Sequence, residues 1–454
     1  MKLQKKIGLA GGTAIVVGGV IGMGAYALVP SIVEKSGDAA WLALSIALLV
    51  SVVSVLPLIQ ISSALPVAGG GYMYASRLLS PVAGTLTSFW ALLGGASSLG
   101  LISIGLVEYF APFLPFQVSP HLGAIILIAS FYFVYLFSLK LLSNLQIIMS
   151  IQLLLALLLY CIPVASTGHF TFSVGMPHSN SFLVAVILCT NLCLGFQIII
   201  EMGEEMHHPE KNIPLSLLIG SVTIFIIYLA IVFTYSGIVG PDGIALKPKL
   251  VDTARPYFSA PAIWFLQLGM ISSALTSYNG GAIALPREIF AMARDLTLPE
   301  FLSRTNSKGN PINAVTFFFL FVIAELLLGQ LLDSLGLVER FFGKDVIEFY
   351  GFMTIMGIML LTISISLSAY KVPTVFPKQY AGAYIKFSKP VLNTFIVVSI
   401  LFSLSLIAII FTKWIVVVIY ALFSAIILLY HAVRKKQLQN TGVEIGKHFD
   451  AWND

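Results

Sequence analysis

The stretch GGVIGMGAY, Gly18 to Tyr26, decides how this sequence folds. It lies inside an apolar run from Ile7 to Val33, yet four of its nine residues are glycine, the residue that loses most by being held in a helix. On this run alone two readings stay open. Gly18 and Gly22, with Gly19 beside them, could let a second helix approach closely. Alternatively the helix is interrupted, which a chain in lipid tolerates only where the freed backbone groups face protein, a cavity or a ligand.

That the run lies in lipid follows from composition. The 454 residues are 58% hydrophobic and 10% charged, with a mean hydropathy of +0.96. A soluble domain carries about 25% charged residues. Crossing a hydrocarbon layer of about 30 Å takes roughly 20 apolar residues. Twelve spans are predicted: 7–33, 39–65, 81–111, 120–139, 144–166, 180–205, 213–239, 259–293, 311–332, 347–370, 390–411 and 414–433. Only Thr412 and Lys413 separate the last two, so a re-entrant hairpin is the alternative there. The loops are short, and residues 1–454 are expected to form a single membrane domain.

Lys and Arg in short loops resist translocation. With the N-terminus inside, 18 of the 25 basic residues fall on the cytoplasmic side, among them Lys2, Lys5, Lys6, Arg77, Arg287, Arg294 and Lys435. Both termini are therefore expected in the cytoplasm, with the chain in the cytoplasmic (inner) membrane. The net charge of +5 reflects this bias and not a nucleic-acid surface. The three cysteines, Cys161, Cys189 and Cys193, all lie within spans and suggest neither a disulfide framework nor a zinc site.

The sixth span repeats the anomaly of the first. It reads LCTNLCLGFQIIIEMGEEMHHPEKNIP, Leu188 to Pro214, with Gly195 in its middle, Asn191 and Gln197 around it, and Glu204 and Glu205 at its end. Because five is odd, a second copy of a five-helix unit enters the membrane upside down, and span six becomes the inverted counterpart of span one. The expected organisation is a first repeat over 7–166, an inverted repeat over 180–370, two further helices over 390–433 and a cytoplasmic tail over 434–454. A pair of glycine-interrupted spans in corresponding positions is the pointer to a secondary transporter's midplane site. Half-helix N-termini would direct N–H groups at an anion such as a carboxylate, and unwound carbonyls could hold a cation.

These residues resemble the amino acid–polyamine–organocation (APC) permeases, bacterial-type amino acid transporters related to the L-type amino acid transporters. VIGMGAY is similar to the family's first-span I-G-S-G-I-F motif, and GFQIIIEMGEEMHHPEKNIP to its G-F-E/D segment followed by E-E-x-x-N-P-x-x-x-I-P. REIFAMARDLTLPEFLSRTNSKGNPINAV resembles the segment S-R-x-x-x-A-M-A-R-D-G-x-L-P after the eighth span. The resemblance covers about residues 5 to 320. It implies an all-α polytopic membrane protein with the LeuT-type 5+5 inverted repeat, discontinuous helices 1 and 6, and 12 transmembrane helices.

Carried onto this chain, the resemblance assigns the substrate carboxylate to the backbone of Ile21, Gly22, Met23, Gly24 and Ala25. The substrate amine falls to the carbonyls of Asn191 to Gly195, including Cys193, with Phe196 and Gln197 continuing the wall. Gly94, Gly95 and Ser98 of the third span, and Gly280 and Gly281 of the eighth, fall at the same depth. Met23 stands where a small hydroxyl residue is usual, Asn191 where one relative type has a gating aromatic, and Gln197 where an acid is usual. The lost acid favours a neutral, zwitterionic amino acid over a dication; an exchanger or proton-coupled carrier of cationic amino acids or polyamines is the alternative.

Ser273, Thr276 and Ser277 share a helix face at i, i+3 and i+4. In this fold such hydroxyls, with a carbonyl near Gly22, can hold Na+, a hard cation suited to oxygen ligands; equally, they can hydrogen-bond neighbouring helices. Some relatives fill that position with a fifth-span lysine, and Asn144 to Tyr160 contains none. Coupling to Na+ or H+ is therefore expected, with Na+ at Thr276 and Ser277 the favoured form and no cofactor otherwise. Of the intramembrane carboxylates, Glu201 is read as a proton site or inner-gate partner and Glu108 as interfacial, while Glu325 has no assigned role. Glu204 and Glu205 facing Arg287 and Arg294 form an expected inner gate.

No H-E-x-x-H, G-x-S-x-G or phosphate loop is present, so an enzyme is not expected. Neither a repeated filter segment nor a ring of like charge marks a channel. A transport-inactive amino-acid sensor would share these features. The expected partners are a small amino acid and the lipid bilayer, with no nucleic acid and no inferred accessory subunit.

Overall fold

The computed structural model describes residues 5, 7–22, 24–110, 118–137, 139–166, 175–176, 181–243, 249–307, 309–343, 346–439, 442, 444–446 and 448. Regular structure among them is helical, apart from two isolated bridges, Ile7 with Met206 and Ala68 with Met202. The first apolar run gives three pieces, α1 (Leu9–Val20), α2 (Gly24–Ala27) and α3 (Val29–Ser36). Next come α4 (Ala40–Ala64), a short α5 (Gly70–Leu78), α6 (Pro81–Phe110), α7 (Pro120–Phe137), α8 (Leu139–Ser166) and α9 (Phe182–Leu192). After two 3-10 segments, Phe196–Glu201 and Gly203–Glu205, the chain continues as α10 (Pro209–Gly243), α11 (Leu250–Ala254) and α12 (Ala260–Arg294). The remainder comprises α13 (Ile312–Ser334), α14 (Leu337–Phe342), α15 (Val346–Val375), α16 (Pro377–Gly382), α17 (Lys389–Ile410) and α18 (Trp414–Gln439).

Six stretches are long and apolar enough to cross a membrane, and further shorter apolar helices accompany them. The chain is a multi-pass, all-α membrane protein. In lipid there is little hydrophobic drive for helices to associate, so small residues that permit close packing decide which helices lie inside. The central helix α6 carries Gly94, Gly95, Gly100, Ser97 and Ser103, and 78% of its apolar window is buried, against 33% for Lys389–Gln439. On α18 the side chains of Leu422, Ile426, Leu429 and Val433, one helical stripe, stay exposed to the surrounding lipid. A 3-10 turn at Phe411–Lys413 separates α17, which packs on α4 and α15, from α18, which packs on α6.

The two interrupted spans end differently. After Val20 the helix opens at Ile21, whose ψ is 75°, and helical geometry resumes at Gly24. The carbonyls freed by this break find side chains on other helices: Ser277 Oγ of α12 donates to Gly18 at 3.3 Å and Tyr228 of α10 donates to Val20 at 3.1 Å. The sixth span is tightened and not unwound. Cys193 N–H donates to Thr190, Leu194 to Asn191 and Ile198 to Gly195, the i+3 pattern of 3-10 turns. Such turns keep backbone groups bonded where water is absent.

The two breaks meet at glycine. Gly195 has φ +119°, and a Cβ built on it would stand 2.7 Å from the Gly19 carbonyl oxygen. Only a residue without a side chain fits this crossing and its backbone conformation. Gly195→Ala is therefore expected to lower the thermal midpoint of the detergent-solubilised protein, since a strained φ alone costs about 1–3 kcal/mol. Gly382→Ala, where nothing lies within 4 Å, serves as the control and should leave the midpoint nearly unchanged.

Candidate functional site

Between the α1–α2 break, the 193–195 turn and helices α6, α12 and α15 lies a cavity of about 160 Å3. A buried water needs roughly 10–15 Å3, so the space accommodates a small organic molecule. Its walls are mainly apolar, with Leu99, Ile102, Ile198, Leu285 and Ile358 contributing. The polar groups are few: Ser98, Asn191, Glu201, Ser277 and Thr354, together with the backbone at Gly19, Gly22, Gly24 and Gly195. An apolar hollow with a few convergent polar groups is the usual form of a small-molecule site.

The residues singled out from sequence divide into three groups. Gly22, Gly24, Gly95, Ser98, Asn191, Gly195, Ser277 and Gly281 line this cavity, and Glu201 joins them. Others pack elsewhere. Ile21 and Ala25 are fully buried and do not line it. Gly94 instead sets the approach of α6 to α15, because a Cβ there would lie 3.0 Å from Gly357 Cα. Cys193 and Phe196 line a second cavity of about 30 Å3 with Ser51, Thr190 and Ser403. Met23 and the side chain of Gln197 lie outside the described residues.

At the expected cation position, α12 does reach the first-span break. Ser277 bonds the Gly18 carbonyl, and a Cβ on Gly22 would start 2.7 Å from its Oγ. Ser273 and Thr276 direct their hydroxyls along their own helix, to Met270 at 2.7 Å and to Ser273 at 2.9 Å. Beside Gly18 the fifth-span helix α8 presents a neutral amide: Asn279 Nδ2 donates to Gln146 Oε1 at 2.8 Å. A hydrogen-bonded pair of amides thus lies beside Gly18, and neither residue was assigned a role from sequence.

One end of the bundle, the end where the sequence places the expected gate, is closed in two ways. Backbone groups strap the 201–206 segment: Ile7 N–H donates to Glu205 at 3.0 Å, His207 N–H to Ile7 at 2.9 Å, and Gly69 N–H to Glu201 at 3.2 Å. Charges then pair across it, Arg287 with Glu205 and Arg294 with Glu204, each at 2.6 Å. These pairs are not on the surface; the Arg287 and Arg294 side chains are 3% and 6% exposed. Alongside, Arg77 of α5 grips Asp295 with two bonds at 2.7 and 3.0 Å, and Tyr72 donates to the same carboxylate at 2.8 Å.

Of the remaining carboxylates, Glu108 is exposed at the end of α6. Glu325 points into the bundle, where Ser97 of α6 donates to it. Glu288 was missed by sequence reasoning, although an ionisable residue inside the 259–293 apolar run is itself a signal. It is fully buried on α12 beside Arg287. Among the described residues no His, Cys, Asp and Glu cluster suits a metal ion, and the three cysteines are free thiols.

Residues 7–443 match the family described as amino acid permease. Among curated relatives, "Cationic amino acid transporter 4, vacuolar" of Arabidopsis thaliana is 26% identical over 68% of this chain, and the match spans 55% of the relative's own length. The "b(0,+)-type amino acid transporter 1" of Mus musculus is 21% identical over 79% of this chain and 76% of its own. "Uncharacterized amino acid permease YecA" of Bacillus subtilis (strain 168) is 25% identical, covering 69% and 75% respectively.

The burial of the gate charges sets their response to mutation. Removing one partner of a buried pair leaves an unpaired charge and costs roughly 3–5 kcal/mol. Arg287→Ala and Glu205→Ala should each destabilise the protein on that scale, and the double variant by clearly less than their sum. A double-mutant cycle on unfolding midpoints measures this, and strict additivity would mean that the two charges do not act as a pair.

Proposed function

The chain belongs to the amino acid permease family, and we propose that it is a secondary carrier of a neutral, zwitterionic amino acid, working by alternating access across the cytoplasmic membrane. The observation that supports this most is the cavity itself, bounded where the two broken spans cross at Gly19 and Gly195 and shut at one end by straps and ion pairs. In this reading the chain makes 12 passes as a 5+5 inverted repeat followed by two helices, and the gate end and both termini face the cytoplasm. The substrate carboxylate meets the N–H groups that begin the helical run at Gly24. Its amine meets Asn191 and the turn at Gly195. The apolar walls from Leu99 to Ile358 take the side chain.

Transport uphill needs a coupled cation. Sodium held by Thr276, Ser277 and the Gly18 or Gly22 carbonyl is one form, and a proton is the other. Full replacement of sodium by choline abolishes uptake in the first and leaves it intact in the second. A second substrate reading, a cationic amino acid or polyamine, is favoured by the carboxyl of Glu201 in the cavity wall and by the printed name of the Arabidopsis relative.

Purified protein in proteoliposomes, offered a panel of labelled amino acids in counterflow, tests the proposal. Exchange of one or more neutral amino acids is expected. Exchange confined to arginine, lysine or diamines would move the assignment to the second reading, and none at all, with binding still seen by thermal shift, would mark a sensor. Selectivity should also answer to one methyl group. A Cβ at Gly281 would stand 3.4 Å from Leu99, an ordinary contact that keeps the fold but narrows the cavity. Gly281→Ala should therefore raise KM about tenfold for the largest accepted side chain and leave the smallest unaffected, within the range one methylene commands in a pocket.

A further inference from the structure

Glu201 in the cavity wall and Glu288 behind it are two carboxyls that the ion pairs do not use. Glu201, from the 3-10 segment, is 4% exposed, and Glu288, from α12, is fully buried. Both are met by the start of α5. Gly71 N–H donates to Glu201 Oε1 at 3.2 Å, and Tyr72 N–H to Glu288 Oε2 at 2.9 Å and Oε1 at 3.2 Å. Ser88 of α6 donates to Glu288 Oε2 at 2.5 Å. A Cβ on Gly71 would stand 2.4 Å from Glu288 Oε1 and 3.4 Å from Glu201 Oε1, so both carboxyls converge on that glycine.

The surroundings supply no neutralising charge. No Lys or Arg among the described residues pairs with either carboxyl. Arg287 and Arg294 of α12 are taken by Glu205 and Glu204. Tyr74 faces the pair from α5, and the non-titrating side chains of Ser88 and Leu361 come from α6 and α15. Among the described residues Glu201 Oε2 is buried without a donor within hydrogen-bond geometry. Two ionised carboxylates are acceptors only and cannot bond to one another, whereas one proton between them turns an acceptor into a donor and halves the buried charge.

We propose that Glu201 and Glu288 together bind the single proton whose movement drives substrate uptake. The proton comes from water in the cavity, which Glu201 lines, onto a carboxylate oxygen of the pair. It leaves to water at the gate end when that end opens. The site joins the parts that must separate there. Glu201 belongs to the strapped segment, Glu288 adjoins Arg287 of the ion pair, and α5 supplies the N–H groups to both. Loading the pair thereby changes the charge at the seam between those parts. The site rests on the reading of the chain as an amino acid carrier and assigns that carrier its coupling ion.

The test uses the full chain, wild type, Glu201→Gln and Glu288→Gln, with two independent readouts. In proteoliposomes at clamped potential, an inward proton gradient should drive wild-type accumulation at least tenfold above equilibrium without sodium. Both variants should lose that accumulation, while Glu288→Gln keeps sodium-free counterflow within about twofold. In infrared difference spectra of purified protein, titration of the wild type should show a carbonyl stretch of a protonated carboxylic acid in addition to any from Glu325, and that additional band should be missing from both variants. Gradient-driven accumulation that survives in either variant overturns the proposal, as does a wild type indifferent to the gradient. If no amino acid exchanges in any sample, the carrier reading fails instead, and the infrared band still decides whether the pair holds a proton.

Discussion

In hydrocarbon a peptide group without a partner is costly, and the rest of this structure is arranged around two places where the helical ladder stops. Each solves the problem by a different route. The first span hands its loose carbonyls to side chains from α10 and α12, Tyr228 and Ser277. The sixth stays bonded to itself by shifting to a tighter winding. Where they cross, Gly195 against Gly19, no side chain fits between them. The binding hollow follows from this: a change of winding in each span, polar backbone at its rim, and close-packed helices around it.

The gate end shows a division of labour between kinds of bond. Backbone straps from Ile7 and Gly69 fix where the 201–206 segment lies and do not depend on side-chain identity. The charged pairs lie beside them, largely out of water, where the net gain of a pair is small but an unmatched partner is severe. A closure built this way holds as a unit and favours a concerted parting of its charges over their loss one by one. The Arg77–Asp295 clasp ties α5 to the end of α12, so these two elements belong to the same seam.

Much of this was legible in the sequence because lipid imposes simple rules. Length and apolarity placed the helices to within a few residues; the predicted 81–111 and 259–293 correspond to Pro81–Phe110 and Ala260–Arg294. Glycine inside an apolar run located both breaks. Less legible was what each glycine is for. Gly94 and Gly95 are neighbours, yet one lies against Gly357 and the other lines the cavity, a matter of 100° around a helix axis that composition cannot resolve. The 3-10 winding after Gly195 was hidden for a similar reason, since the same residues could equally have stayed unwound. Glu288 falls at an unspecified position of the R-x-x-x-A-M-A-R-D segment, and Gln146 and Asn279 lie 133 residues apart, so nothing in the sequence shows that they meet.

The contact between Gly94 and Gly357 brings the backbones of α6 and α15 together, since a Cβ on Gly94 would lie 3.0 Å from Gly357 Cα. A side chain at either glycine would wedge the two helices apart. Ser98 and Leu99 on one helix, and Thr354 and Ile358 on the other, line the cavity beside that contact, so it sets their separation. The glycine pair thus works like the stop on a caliper, setting the width of the hollow on that side.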